Sequence, residues 1–92
     1  MGDYGLRWSA PATRQLDRLA KTSPRVVDAI AEFCFGRLIS NPHRVGHPLG
    51  RELAGWHSAR VGQYRVIYCI NEAERTVYVD HVDHQSDVYR LR

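Results

Sequence analysis

The stretch from Leu53 to Tyr68, LAGWHSARVGQYRVIY, constrains the fold more than any other part of the chain. It consists of two strand-like runs joined by a tight turn at Val61-Gly62-Gln63. Trp56, Ser58 and Arg60 alternate with His57, Ala59 and Val61; beyond the turn, Tyr64, Val66, Tyr68 and Ile70 alternate with Arg65, Ile67 and Cys69. Side chains two apart on a strand share a face, so the pattern predicts a hairpin with one greasier face and one face able to carry charge. Arg60 and Arg65 flank the turn. An arginine beside a β-core is costly unless it is solvated, paired or meeting an anion, and the function turns on which of these applies.

The elements around the hairpin follow from periodicity and punctuation. Tyr4 to Ser9 reads as a short strand, with Leu6 and Trp8 on one face. A helix begins at Ser9 or Ala10, with Pro11 tolerated in its first turn. Ala12, Leu16, Leu19 and Ala20 fall at helical spacing. Ser23 and Pro24 supply an N-cap and a first helical residue for a second helix. That helix runs to about Ser40, with Val26, Val27, Ile30, Phe33, Cys34 and Leu38 on its apolar stripe. The short link between the two implies an antiparallel helical hairpin. Asn41-Pro42 stops the second helix, and a loop rich in proline and glycine leads to Arg51. After the β-hairpin, Thr76 to Val82 reads as a last strand, with Val77 and Val79 on one face and Tyr78 and Val82 on the other. The order β-α-α-β-β-β predicts an α+β fold: an antiparallel sheet of about four strands, with the helical hairpin on one face and the other face open.

Composition narrows the class. Ninety-two residues is the size of one domain, and 43% hydrophobic with 25% charged residues suits an ordinary globular chain. No apolar run approaches membrane-spanning length and the N-terminus lacks a signal-peptide core, so a cytoplasmic location without a membrane partner is the default expectation. Cys34 and Cys69 read as small buried hydrophobes, and no CxxC pair points to redox or zinc chemistry. The net charge of +3 is unevenly spread: Gly36 to Cys69 holds Arg37, Arg44, Arg51, Arg60 and Arg65 against one acid, Glu52. Twelve of the thirteen basic residues are arginines, Lys21 being the exception. Arginine binds phosphate in a planar, bidentate way that lysine cannot, so this clustering favours a polyanionic partner.

The reactive side chains are equally selective. No nucleophile elbow, Gly-rich phosphate loop or spaced carboxylate pair is present. What remains is Arg60, Arg65, His57, Ser58, His81, His84 and Tyr89: cations, imidazoles and a phenol that converge if the last strand pairs with the 64–70 strand. Such a set suits metal-free cleavage of a phosphodiester. A base takes the proton of a ribose 2′-OH, arginines hold the phosphorane and an acid protonates the leaving oxygen. Trp56 or Tyr89 could stack on an unpaired base. His81-x-x-His84 has metal-ligand spacing but no evident third ligand, so neither metal nor cofactor is expected.

At Leu53-x-Gly55-x-x-Ser58-x-Arg60-x-Gly62-x-Tyr64-Arg65-Val66-Ile67-Tyr68, with Asn41-Pro42, Pro48-Leu49 and the ending Val82-Asp83-His84-x-x-Asp87-Val88-Tyr89, the chain resembles the RelE toxins of bacterial toxin–antitoxin modules, in the RelE/ParE superfamily. The likeness covers nearly the whole chain, so residues 1–92 read as a single RelE-like toxin domain. The resemblance implies a ribosome-dependent endoribonuclease that cuts mRNA in the ribosomal A site, needs no metal, and is neutralised by a cognate antitoxin. It implies that Arg65 stabilises the phosphorane and Arg60 binds phosphate. Tyr89 would orient the 2′-OH or stack on the base, and His84 would serve as general acid or base. Arg44, Arg51, Trp56, His57, Ser58 and Gln85 are then the candidates for RNA contact. The chain departs from many members at Gln85, where they carry arginine, and at Trp56 and Ser58, where some carry lysine. Two alternatives stand beside the nuclease: a ParE-like inhibitor of DNA gyrase without nuclease activity, and a degenerate toxin that only binds its antitoxin.

Overall fold

The computed structural model describes residues 3–85. Within them the order is β1 (Gly5–Trp8), α1 (Ala10–Thr22), α2 (Pro24–Phe33), α3 (Pro42–Val45), β2 (His47–Pro48), β3 (Trp56–Val61), β4 (Tyr64–Asn71) and β5 (Thr76–His84). The five strands form one sheet ordered β1-β5-β4-β3-β2. Pairing is antiparallel except for β1, which runs parallel to β5 with Leu6 opposite Val77 and Trp8 opposite Val79. The predicted α+β class stands. The sheet gains a strand over the predicted four because the short β2 adds to β3, with His47 opposite Ser58.

Local chemistry accounts for the helices. Ser9 caps α1, its Oγ accepting from Ala12 N at 3.1 Å, and Pro11 sits in the first turn where no N–H is needed. The chain reverses at Ser23, whose N–H donates to Leu19 O at 2.7 Å, and Pro24 restarts it. Ser23 stands at the N-cap position of α2 without a side-chain capping bond. The predicted second helix widens into a π-helical turn at Cys34–Leu38 before ending. Its predicted apolar stripe is the one that packs, since Ile30, Phe33, Cys34 and Leu38 are all buried. On α1, Ala12 is buried, whereas Ala20 is exposed, so the contact stripe ends at Leu19.

The core lies between the helices and one sheet face, where Ala59, Val66, Tyr68, Val77, Val79 and Val82 meet Ala12, Ile30, Phe33, Cys34 and Leu38. The Tyr68 hydroxyl is deep in this layer and donates to Pro42 O at 2.7 Å. Burial pushes its pKa up to about 12 and does the same to the Cys34 thiol. Gly46 lets β2 approach: a Cβ there would lie 2.4 Å from Tyr68 Oη and 2.9 Å from Ser58 O. At the hairpin Val61 pairs with Tyr64, so the turn is the two residues Gly62 and Gln63, with Gly62 at φ 61°. A glycine first in a two-residue loop is what a II′ turn requires.

The last strand departs from simple alternation. Ile67 pairs with His81 but Tyr68 pairs with Val79, which leaves Asp80 as an extra residue in a β-bulge. The bulge returns Val82 to the core face beside Val77 and Val79, correcting the prediction that Val82 shares a face with Tyr78. It also turns His81 and Asp83 to the opposite face. Elements distant in sequence hold it there. Ser9 N donates to Val79 O at 3.0 Å, Ser9 Oγ donates to Asp80 O, and Gln15 Oε1 accepts from Val82 N at 2.8 Å.

Candidate functional site on the outer sheet face

The face turned away from the helices is built in cross-strand rows. Trp56, Cys69 and Tyr78 form the first, Ser58, Ile67 and His81 the second, and Arg60, Arg65 and Asp83 the third. The face is open only in part. The connection from Leu49 through the turn Arg51–Leu53 covers its middle, and Ile67 is 7% exposed. Beneath that connection lies a pocket of about 300 Å³, lined by Leu49, Leu53, Trp56, Ser58, Ile67, Asp80, His81 and Asp83. Its walls are largely apolar and its floor is polar, which suits a flat ring bearing hydrogen-bonding edges.

The polar atoms of this face are unusually short of partners. Arg65 Nε, Ser58 Oγ and Asp83 Oδ2 are buried and find no hydrogen-bond partner among the described residues. A buried guanidinium nitrogen without an acceptor is costly, and its geometry suits an incoming anion. Arg60, in the same row, is exposed, and its Nε donates to Gly62 O at 3.2 Å. That bond steadies the side chain beside the turn. His81 is held from two sides, with Nδ1 2.8 Å from Asp80 Oδ2 and Nε2 2.9 Å from Asp83 Oδ2. The first contact is a hydrogen bond. The second is a close ion-pair contact without the alignment of a hydrogen bond.

Not every expected residue reaches this face. Trp56, Ser58 and Arg60 do, sharing one face of β3 by alternation, and the register brings Arg65 beside them. His57 does not: strand parity turns it to the helix side, where its ring stacks on Tyr68 at 5.3 Å and meets His43 edge-on at 6.3 Å. Burial there, together with the nearby His43 charge, lowers its pKa. His84 also lies off the arginine face. The bulge reverses the parity of β5, so His84 pairs with Tyr64, its ring 5.1 Å away, in a separate pocket with Gln15, Leu16, Leu19 and Thr22 of α1. Of the last-strand histidines, His81 therefore shares the face of Arg65, one row away, and His84 does not. Arg44 is exposed on α3, whose His43 meets His57, and so belongs to the helix side. Arg51 is exposed in the covering turn at φ 58°. Gln85 N donates to Gln63 O at 2.6 Å, tying the end of β5 to the hairpin turn. Tyr89 lies outside the described residues.

Asp80 and Asp83 escaped the sequence reading, and the Asp-His-x-Asp spacing that now places them was the available signal. Among the described residues, no group of three or more His, Cys, Asp or Glu side chains is arranged to hold a metal ion. No helix among them is long and apolar enough to cross a membrane.

Comparison with known proteins gives this arrangement a family. Residues 6–89 match the profile described as the ParE toxin of type II toxin–antitoxin systems. Toxin RelG of Mycobacterium tuberculosis is 47% identical over 87 residues, covering 95% of this chain and 97% of its own. Toxin RelE of the same organism is 42% identical, covering 96% and 88%. Among solved structures, the toxin–antitoxin complex RelBE2 from M. tuberculosis contains a chain that superposes with a TM-score of 0.82 at 46% identity, covering 90% of this chain and 99% of that one. The fold, the strand pairing that builds the arginine face and these likenesses agree: the chain belongs to the ParE toxin family of type II toxin–antitoxin systems, as a RelE-type toxin.

Proposed function

We propose that the chain is an endoribonuclease that cuts mRNA in the ribosomal A site without a bound metal, in the cytoplasm, and is silenced by a cognate antitoxin protein. The observation that carries the reading is Arg65: a cation with a buried, unpartnered Nε, beside Arg60 and next to a ring-sized pocket. A phosphate gives that nitrogen the acceptor it lacks, and the adjoining pocket takes the attached base against Trp56. The ribose 2′-oxygen attacks phosphorus, and Arg65 neutralises the charge that grows on the phosphoryl oxygens. Arg60 holds the phosphate from the turn. Tyr89 orients the 2′-OH or stacks on the base, in keeping with the family resemblance. The likeness to RelG and RelE, and to a chain solved within a toxin–antitoxin complex, supports both the toxin reading and the antitoxin partner.

The name of the matching family profile favours a second reading, in which the same fold inhibits DNA gyrase and cuts no RNA. One experiment separates them. The chain is induced alone in a bacterium and new 5′-ends are mapped on cellular mRNA. Cuts inside translated frames that vanish when translation is blocked support the nuclease. Growth arrest with intact mRNA and DNA damage supports gyrase inhibition, and absence of arrest supports a degenerate toxin.

A further inference from the structure

The Asp80 bulge does more than restore the core register. It aims one imidazole at the arginine face and surrounds it with carboxylates. Of the five histidines, three are ruled out of chemistry at Arg65 by placement. His43 contacts Glu72, His57 stacks on Tyr68, and His84 packs against Tyr64 on the helix side. His47 shares the row of Ser58 but stands on the outermost strand, with β3 between it and Arg65. His81 stands on the strand paired directly to that of Arg65, one row along, opposite Ile67. Residues two apart on a strand are separated by about 7 Å, so a guanidinium and an imidazole from adjacent rows can meet one phosphodiester.

We propose that His81 is the general acid of the cleavage, protonating the leaving 5′-oxygen from Nε2, and that Asp80 is its positioning residue; this rests on the nuclease reading above. The Nδ1–H···Asp80 hydrogen bond at 2.8 Å orients the ring and leaves the second proton on Nε2. Asp83 Oδ2 stands 2.9 Å from Nε2 in an ion-pair contact that is not a well-aligned hydrogen bond, so it does not hold the Nε2 proton in a good bond. Arg65 on β4 and Arg60 on β3 lie on the same face one row along, where both serve the phosphate. In the step, the 2′-oxygen forms a bond to phosphorus and its proton passes to water. The P–O5′ bond breaks, its electron pair stays on O5′, and O5′ takes the Nε2 proton. The imidazolium becomes neutral imidazole still bonded to Asp80. The products are a 2′,3′-cyclic phosphate and a 5′-hydroxyl.

The test uses mRNA placed in the ribosomal A site, with either the natural oxygen or a bridging sulfur at the 5′ position of the scissile bond. A thiolate leaves without protonation, so it does not need the acid. His81→Gln is expected to slow cleavage of the oxygen substrate by about 100- to 1,000-fold and to cut the sulfur substrate near the wild-type rate. Arg65→Ala is expected to slow both alike, because it acts on the phosphoryl oxygens. Equal loss on both substrates in His81→Gln overturns the proposal while leaving the nuclease reading intact. Wild-type protein that cuts neither substrate overturns both. Should His81→Gln fail to fold, Asp80→Asn keeps the imidazole in place; it is expected to show a smaller loss, again confined to the oxygen substrate, and loss on both substrates would overturn the assignment.

Discussion

The two faces of this sheet are made from the same strands but solve opposite problems. On the helix side, Val66, Tyr68, Val77 and Val79 are fully buried, and the one deep hydroxyl, that of Tyr68, has its partner in Pro42 O. On the outer side, Arg65 Nε, Ser58 Oγ and Asp83 Oδ2 are buried without a hydrogen bond among the described residues, Asp83 Oδ2 having only its ion-pair contact with His81. Among the described residues, three of the four buried side-chain polar atoms without a hydrogen bond thus gather on one face. Unsatisfied buried groups each cost about 1–3 kcal/mol, a cost tolerated where a ligand supplies what is missing. The helix side holds the fold together, and the outer side is left short of hydrogen bonds, as a ligand-binding face would be.

Variants can break that contrast in turn. The largest effect on stability is expected from the helix side: Ile30→Ala removes a fully buried side chain and should destabilise by about 2–5 kcal/mol, read by denaturant unfolding. Arg65→Ala should do the reverse, lowering cleavage by about 100- to 1,000-fold while leaving antitoxin binding unchanged and the unfolding midpoint no lower than in the parent chain. A marked loss of stability in Arg65→Ala would mean that its charge is a structural element after all. Tyr68→Phe leaves Pro42 O without its donor and should cost about 1–3 kcal/mol. It should also flatten the alkaline limb of stability. Because the folded pKa of Tyr68 is raised to about 12 from 10.0, the unfolded chain loses its proton first, and stability falls as pH rises from 10 towards 12.

The smallest effect concerns His57. Its pKa is lowered in the fold by burial and by His43, so the unfolded chain takes up the proton first as pH falls below 6.5. Stability present above that value is lost on acidification. His57→Phe keeps a ring against Tyr68 and should flatten the acid limb, with cleavage of RNA unaltered at neutral pH. A large loss of cleavage would return His57 to the site and erase the distinction between the faces.

Much of this was legible in the residues. Period-two alternation separated Trp56, Ser58 and Arg60 from His57 on one strand, and Arg65 from Tyr64 and Val66 on the next, although His57 was still expected to join the site; the register joined Arg65 to the face of Trp56. Helical spacing found Ile30, Phe33, Cys34 and Leu38, and Ser9, Pro11 and Pro24 marked the helix starts. The motifs at the hairpin and at Val82-Asp83-His84 carry the family resemblance by themselves. These signals are local: each depends on residues a few positions apart and on the handedness and pleat of the chain.

Only the tertiary structure decided which histidine shares the sheet face of Arg65. Alternation along β5 holds until Asp80 and then shifts by one residue, and a one-residue shift exchanges the two faces of everything that follows. The shift is held by Ser9 and Gln15, which bond to Asp80 O and Val82 N across 71 and 67 residues of chain. No pattern within β5 encodes partners so far away. The sequence alone determined that this chain carries an arginine hairpin on a helix-backed sheet. The placement of an imidazole beside it was decided by contacts that exist only once β1 and α1 have docked against the last strand.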